Sequence, residues 1–499
     1  VTTVKRWTPQ RVKQAIDALA SGGDSIYSAS GTVPGSTVAT LTDSLTFAGG
    51  KVILSSIANG ILLNRVTTSE MNLITGMVED EIVFNTQLKG LYRYDGSNWV
   101  ALAAGFGIVG TTDSAGSPTF YATVKAAYEA AQGSIKLYSD ITESVSRTIN
   151  IVNGRDIDLN GFTYTYSATD GSNMFDDANG PFTVRIINGR LLRTGGTAAS
   201  HALKFDFVQN QIDVVNCFVE NSNGISIVNA ANLFNATGST FISNLSSGNG
   251  IVIGKQSSLT STIIGGNFFV KGGANLNCVA KKLQNTVFNI NGAGRTFFKG
   301  TAVNCQFYSE NNTAVNIASS IGGVRNNLIN CFAESISGKA VNMNGADATN
   351  STFITGNNSA AIGGNVSCNL FNCYLENNSN SFSTISNITN IDKCTVIQSG
   401  TTYNFLRGSI IDMRITNCLI KAKGNSTRVI YFATDNTKEL SVINNTFFVE
   451  NNQTIIRTIN ADVEICKNTV KGSTNFTDLG TGSNTWTATT DAQGNILQA

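Results

Sequence analysis

The chain has 499 residues and a formal net charge of +1, and only 13% of its residues are charged. Disordered chains combine low hydrophobicity with high net charge, whereas 41% of this chain is hydrophobic, so the composition favours a folded protein. With no basic excess, we expect no nucleic acid partner. No run of about 18 apolar residues occurs, and we therefore expect no membrane insertion.

The first 100 residues predict a small α+β domain. Thr8-Pro9 is a typical helix start, and Gly22-Gly23 ends the helix that it begins. The stretch after it is rich in β-forming residues. Its last part, residues 91–100, carries Asp95-Gly96 between aromatic residues, which predicts a β-hairpin.

A second helix is predicted over residues 118–133. Ser117 can cap it, Pro118 suits its first position and Gly133 stops it. Repeat arrays expose core and unpaired strand edges at their ends. We therefore expect this helix to cover the first turn of a repeat array whose first strand begins at Ile135.

After residue 150 the chain becomes rich in asparagine and poor in proline. Residues 1–150 contain 6 Asn and residues 151–499 contain 53, and the last of the four prolines is Pro181. A motif of Asn followed by a small residue recurs, with Lys in place of Asn once. It occurs at Asn160-Gly161, Asn188-Gly189, Asn216-Cys217, Asn285-Thr286, Asn304-Cys305, Asn330-Cys331, Asn350-Ser351, Asn372-Cys373, Lys393-Cys394, Asn417-Cys418, Asn445-Thr446 and Asn468-Thr469.

From Cys331 onward the small residue of the motif recurs in steps of 20 to 28 residues. A repeat of this length indicates a solenoid or a propeller. The units contain short strands separated by Gly, Asn and Ser, and none has a helical stretch, which predicts a parallel β-helix. In such a fold equivalent residues of successive turns stack about 4.8 Å apart. Asn suits the corners because it tolerates the left-handed conformation and its amide can bond along the stack.

Six of the nine cysteines share the small position of the motif. They are Cys217, Cys305, Cys331, Cys373, Cys394 and Cys418. We expect buried, reduced, structural thiols, because an odd count in a large chain does not suggest a disulfide framework. No CxxC motif occurs and His201 is the only histidine, so we predict no metal and no cofactor.

If the small residue points inward, the residues one and three positions later point outward. This alternation predicts three outward pairs of an aromatic residue and a carboxylate, which are Phe218 with Glu220, Phe332 with Glu334, and Tyr374 with Glu376. Glu334 and Glu376 would lie two turns apart, about 9.6 Å, near the upper end of the roughly 6.5–9.5 Å separation in inverting glycosidases. They are the candidate catalytic proton donor and base.

The candidate substrate-binding residues are outward aromatic and polar residues between Cys305 and Cys418. They are Tyr308, Glu310, Tyr374, Tyr403 and Arg407. Asp392 and Asp412 are weaker candidates for the catalytic carboxylates. The same surface has another interpretation, because outward apolar residues on a monomer indicate a contact between chains. The outward apolar positions predicted on this basis are Phe218, Phe268, Phe332, Tyr374, Leu419 and Phe447.

Several segments carry a family resemblance. Residues 118–160, with Ile135-Lys136-Leu137 and Asp158-Leu159-Asn160-Gly161, resemble the beginning of a pectate-lyase-like right-handed parallel β-helix. Residues 83–99 resemble small β domains of bacteriophage tail fibres and tailspikes, and residues 7–13 resemble helices that precede such domains. The resemblance implies an all-β dominated protein, with a right-handed parallel β-helix (solenoid) after a small α+β N-terminal domain.

The resemblance also implies a function. We expect a homotrimeric virion tail protein, assembled in the host cytoplasm, that binds a bacterial surface glycan and contacts other tail proteins through its N-terminal region. One alternative is an endoglycosidase or polysaccharide lyase on the same scaffold, and another is a bacterial secreted β-helix adhesin.

The predicted domain boundaries follow the composition and the motifs. They are 1–23 for an attachment helix, 24–104 for a β-rich adaptor, 105–117 for a linker, 118–133 for the capping helix, 134–471 for the β-helix and 472–499 for a C-terminal segment.

Overall fold

The computed structural model describes residues 65–498 apart from internal gaps. The longest gaps are 76–81, 177–182, 254–260, 318–324, 400–405, 433–438 and 479–495. The helix predicted to begin at Thr8-Pro9 lies outside the described residues.

A small sheet comes first in the described chain. Its strands are β1 (Arg65–Val66), β2 (Ile82–Asn85), β3 (Gly90–Tyr94) and β4 (Trp99–Ala103), hydrogen-bonded in that order. β3 and β4 are antiparallel, which confirms the predicted hairpin, and Gly96 in the turn has a φ of 89°.

One short helix in this region was not anticipated from the sequence. Helix α1 spans Thr68–Leu73 and begins with a capping box. The Thr67 hydroxyl accepts a hydrogen bond from the Glu70 amide, and the Glu70 carboxylate accepts one from the Thr67 amide. The Thr-x-x-Glu spacing that signals this cap is present in the sequence.

The predicted capping helix is wrong at its beginning. Residues Pro118–Tyr121 form strand β6, which pairs antiparallel with β5 (Val109–Thr112), a strand inside the predicted linker. Helix α2 spans only Val124–Ala130, and the Thr123 hydroxyl accepts from the Ala126 amide at its start. Ser117-Pro118 is a local helix signal that is overridden by pairing with β5, which in turn pairs with the strand Ile135–Leu137.

Both α2 and β5 cover the beginning of the solenoid. β5 pairs antiparallel with the first solenoid strand, Ile135–Leu137. On α2, Val124, Ala127 and Tyr128 are buried in the same core as that strand. The β5–β6 hairpin thus pairs with the otherwise open edge of the first solenoid strand, and α2 covers the apolar interior of the solenoid at this end.

The rest of the described chain is a parallel β-solenoid with three sheet faces, which confirms the predicted fold class. Each turn runs from face A through a corner to face B, and then to face C.

Each face is a ladder of parallel strands, one from each turn. Face A contains Ile135–Leu137, Ile157–Asp158, Leu233–Asn235, Thr262–Ile264, Asn326–Ile329, Ala346–Thr349, Asn369–Phe371, Asn390–Asp392, Asp412–Thr416, Glu439–Ile443 and Asp462–Cys466. Face B contains Ile141–Glu143, Thr163–Tyr166, Thr240–Ser243, Asn267–Val270, Val287–Ile290, Gln306–Ser309, Phe332–Ser335, Thr352–Thr355, Tyr374–Asn377, Thr395–Gln398, Leu419–Ala422, Thr446–Val449, Thr469–Lys471 and Ile496–Gln498. Face C contains Ile149–Asn150, Phe175–Asp176, His201–Phe205, Ile225–Asn229, Asn249–Ile253, Val315–Ile317, Val341–Met343, Ile362–Gly364, Ile385–Ser386, Leu406–Gly408, Arg428–Phe432, Thr454–Arg457 and Thr477–Asp478.

Four longer strands continue from one face to the next. Thr183–Arg193 and Gln211–Asn221 run from face A to face B, and Asn275–Gln284 and Thr296–Val303 run from face C to face A.

The corner between faces A and B explains the asparagines. Every non-glycine residue with a positive φ in the described part of the chain lies at this corner, with φ between 50° and 60°. They are Asn160, Asn188, Asn216, Asn285, Asn304, Asn330, Asn350, Asn372, Lys393, Asn417, Asn444 and Lys467. The amide of Asn372 donates to the Asn350 side chain at 2.8 Å, and that of Asn444 to Asn417 at 2.7 Å. The corners are therefore joined along the solenoid.

The small residue after each corner points inward and links turns in a second way. The Cys331 backbone amide donates to the Ser351 hydroxyl at 3.0 Å, and the Cys418 backbone amide donates to the Asn445 side chain at 2.8 Å.

The last two predicted motifs are shifted by one residue, because Asn445 and Asn468 hold the inward position while Asn444 and Lys467 form the corners. Asn fits either position, so the sequence alone did not fix the register.

The core behind face B contains a stack of four phenylalanines, Phe241, Phe268, Phe288 and Phe307. Successive ring centroids are 4.9, 5.4 and 5.3 Å apart.

The prediction that Phe268 and Phe447 point outward is wrong, because both are fully buried and their neighbours Phe269 and Phe448 face outward. The turn that contains Phe268 has its corner at Gly265. The turn that contains Phe447 has its corner at Asn444, one residue earlier than predicted.

Candidate functional site: the outer surface of face B

Two columns of side chains cover the outside of face B. The first outer column holds the residue after the inward small residue, and the second outer column holds the residue two positions later. Toward the C-terminal end the second outer column runs, in register, Tyr308, Glu334, Ile354, Glu376, Ile397, Lys421, Phe448 and Lys471.

Glu376 is held by two neighbouring side chains. The Tyr374 hydroxyl donates to its carboxylate at 2.8 Å, and the Asn378 amide donates to the other oxygen at 3.2 Å. Burial raises the pKa of Tyr374, and the nearby carboxylate raises it further, so the phenol stays a donor. The side chain of Glu376 is half-buried in this position.

Glu334 stands two strands from Glu376 in the same column. The strand between them places Ile354 directly in register with both carboxylates. An apolar side chain therefore occupies the column position between the two candidate catalytic groups.

Aromatic side chains accompany these carboxylates. The rings of Tyr308 and Phe332 lie 5.4 Å apart, and the Tyr308 hydroxyl donates to Gln306 at 3.1 Å. Burial and the charge of Glu334 raise the pKa of Tyr308. Tyr374 lies two strands from Phe332 in the first outer column, with Thr352 between them. Tyr308, Phe332 and Tyr374 are called the aromatic surface below, and all three lie beside acidic groups.

The remaining candidates lie elsewhere or outside the described residues. Glu310 is exposed just beyond its face-B strand, and Arg407 lies in a face-C strand, so the fold puts it on another face. Tyr403 falls in the gap 400–405, and the side chain of Arg407 is not described.

The two weaker carboxylate candidates also lie away from face B. Asp392 and Asp412 are on face A. Burial raises the pKa of Asp392, but hydrogen bonds from Thr416 and Asn417 outweigh this effect and the pKa is lowered overall. A group with a lowered pKa is a poor proton donor near neutral pH.

A groove of about 550 Å³ lies at the C-terminal end of face B. Its lining residues are Leu419, Lys421, Ala422, Lys423, Phe448, Val449, Glu450, Lys471 and Gly472. Sequence reasoning missed it, although Lys421 occupies the same predicted motif position as Glu334 and Glu376. The one-residue shift at Asn444 hid the outward position of Phe448.

Among the described residues, no group of three or more His, Cys, Asp or Glu side chains could hold a metal ion. No described helix is long and apolar enough to span a bilayer. The ring of His201, on face C, contacts the Asn173 side chain at 2.7 Å.

Comparison with known proteins gives one match. Residues 51–117 match a family model described as a phage tail-like trimerisation region. The matched residues include β1–β5 of this chain. No curated protein and no solved structure matches the chain significantly.

In this chain a parallel β-solenoid follows the matched region. For this chain, the two features support a phage tail protein of the fibre or spike type. The same match supports a homotrimer and a place in the virion tail.

Proposed function

We propose that the protein recognises the bacterial host by binding a surface polysaccharide along face B. The observation that carries the proposal is the aromatic surface of Tyr308, Phe332 and Tyr374 beside the carboxylates of Glu334 and Glu376. Sugar rings offer apolar C–H faces to aromatic rings and hydroxyl donors to carboxylates. The strand ladder holds these groups in place, and the pair of an aromatic residue and a carboxylate occurs on two strands of this surface, at Phe332 with Glu334 and at Tyr374 with Glu376.

The match at residues 51–117 supports a phage protein over a bacterial adhesin. Attachment to other tail proteins through the N-terminal region, and assembly in the host cytoplasm, belong to the same proposal.

Adsorption of purified protein to host cells tests the binding surface. Tyr374→Ala and Phe332→Ala should each weaken adsorption several-fold, because each removes a ring from the surface. Phe371→Ala is the matched control, since Phe371 is an exposed aromatic residue on face A. Equal adsorption by all three variants and the wild type would show that face B is not the binding surface.

A second proposal is that the same surface cleaves the glycan. Its support is the pair of carboxylates two strands apart, about 9.6 Å between their strands, near the range for inverting glycosidases. Glu334 would be the proton donor and Glu376 the base, and a lyase reaction would instead leave an unsaturated sugar.

Digestion of host polysaccharide followed by chromatography separates the two proposals. For an enzyme, Glu376→Gln should abolish fragment release while adsorption persists. Because Ile354 lies between the carboxylates, Ile354→Ala should alter fragment release more than adsorption. If wild-type protein releases no fragments, the protein binds without cleaving.

A further inference from the structure

Along the second outer column of face B, the acidic side chains lie on one stretch and the basic side chains on another. Glu334 and Glu376 lie on one stretch, and Lys421 and Lys471 lie further along, on either side of Phe448. Lys423 adds a third ammonium group to the C-terminal groove, where Glu450 is the one carboxylate among the lining residues. The groove is therefore net positive on a chain that is nearly neutral.

The groove also offers an apolar surface. Phe448 is 39% exposed, and the Lys471 ammonium lies 5.3 Å from its ring centroid. Leu419, Ala422 and Val449 contribute further apolar lining. A ligand that fits this combination has an apolar face and an anionic substituent.

We propose that this groove binds an anionic sugar unit of the surface polysaccharide, one that carries a carboxylate or a phosphate. The inference rests on the proposed polysaccharide binding and adds the charge of the ligand. Lys421 and Lys471 stand two strands apart, about 9.6 Å along the column, so their flexible side chains can reach one anionic group from both sides.

Calorimetry with the full-length protein tests the groove. The probes are oligogalacturonate, a glycerol phosphate oligomer and neutral dextran, which distinguish carboxylate, phosphate and uncharged ligands. The double variant Lys421→Gln/Lys471→Gln should lose about tenfold or more in affinity for the acidic probe that binds. Added salt should weaken that binding, because it screens exposed charges.

Lys282→Gln is the matched control, since Lys282 is an exposed lysine on face A. Equal affinity of the double variant and this control, absence of binding to both acidic probes, or equally tight binding of dextran would overturn the inference. Host-cell adsorption of Tyr374→Ala is measured in parallel. If Tyr374→Ala loses adsorption while the groove variant keeps its affinity, the groove inference fails and the binding function stands.

A separate observation concerns the small sheet. Among the described residues, its buried apolar side chains are Val66, Met71 and Val83, and Ile74, Tyr92 and Trp99 pack against them. Two large apolar side chains remain exposed beside this core, Leu73 at 76% and Ile82 at 40%. Large apolar side chains that stay exposed beside a core indicate a surface that another chain covers.

The two exposed residues lie on different sides of the unit. Val83 points toward Met71 of α1, so Ile82, its neighbour in β2, points to the opposite side of the sheet. Leu73 is at the end of α1. A cyclic trimer is built from a heterologous interface, in which each chain contributes two different patches.

We infer that Leu73 and Ile82 contact the two other copies of this chain, within the region that matches a trimerisation family. Leu73→Gln and Ile82→Thr keep the local helix and strand preferences. Light scattering over a dilution series should show these variants dissociating at concentrations where the wild type stays trimeric.

Ile336→Thr is the control, because Ile336 is 53% exposed in the solenoid. Circular dichroism checks that each variant keeps its β structure. Trimers of unchanged stability in both variants, or equal dissociation of the control, would overturn the inference.

Discussion

At the scale of single residues, the left-handed corner explains the composition of the chain. A left-handed backbone costs most residues about 1–2 kcal/mol, and Asn bears it better because its side chain bonds locally. Glycine fills the same corner at Gly238 and Gly265, with φ of 68° and 70°. Lys393 and Lys467 are the exceptions, and neither has a side-chain amide that could continue the hydrogen bonds between corners.

Lys467→Asn should raise the free energy of unfolding by about 1 kcal/mol, because it relieves backbone strain and adds an amide next to Asn444. Lys271→Asn, at an exposed position without a positive φ, is the control. Thermal melting measures both. A midpoint for Lys467→Asn at or below that of the control would contradict a strained corner.

The cysteines should react according to their burial. All nine are free in the structure, and eight of them are buried while Cys466 is half-exposed. Burial raises the pKa of Cys217 to about 12, so almost none of it is thiolate, the reactive form, near neutral pH.

Iodoacetamide should therefore modify Cys466 first in the folded protein and all nine cysteines after unfolding. Mass spectrometry of the intact chain measures the number modified. Fewer than nine additions after unfolding without a reductant would indicate disulfides.

At the scale of the structural element, alternation along each face-B strand decides which residues form the core and which form the outer surface. The four stacked phenylalanines occupy consecutive turns, so each ring packs between two others or at the end of the stack. Loss of a middle ring would leave a cavity that rigid strands cannot collapse to fill.

Phe288→Ala should destabilise the fold by about 3–5 kcal/mol, the usual range for a buried phenylalanine. Phe269→Ala, which removes an outward ring from the preceding turn, should cost clearly less. Chemical denaturation of the two variants measures the difference. Equal losses would mean that the inward and outward positions are assigned wrongly.

At the scale of the whole molecule, the match to a trimerisation region predicts the mass in solution. Light scattering should give about three times the chain mass of 52.8 kDa at micromolar concentration. A mass equal to one chain would contradict the homotrimer. On face B of the solenoid, the outward apolar positions differ from the predicted ones at two places, because Phe269 and Phe448 face outward while Phe268 and Phe447 are inside.

The sequence by itself determined the parallel β-solenoid, the asparagine corners, the inward thiols and the hairpin at Gly96. These features follow from short-range chemistry that repeats in every turn, such as backbone preference, side-chain size and alternation along a strand. The outward placement of Glu334, Tyr374 and Glu376 follows from the same rules.

The tertiary structure decided what depends on neighbours in space. Pro118–Tyr121 became a strand because it pairs with β5, which itself pairs with the first turn. Stacking between turns selected Asn444 over Asn445 as the corner, and it placed Ile354 between the two glutamates. The basic groove arises only when Lys421, Phe448 and Lys471 stack in register, because residues far apart in sequence become neighbours through the hydrogen bonds of parallel strands.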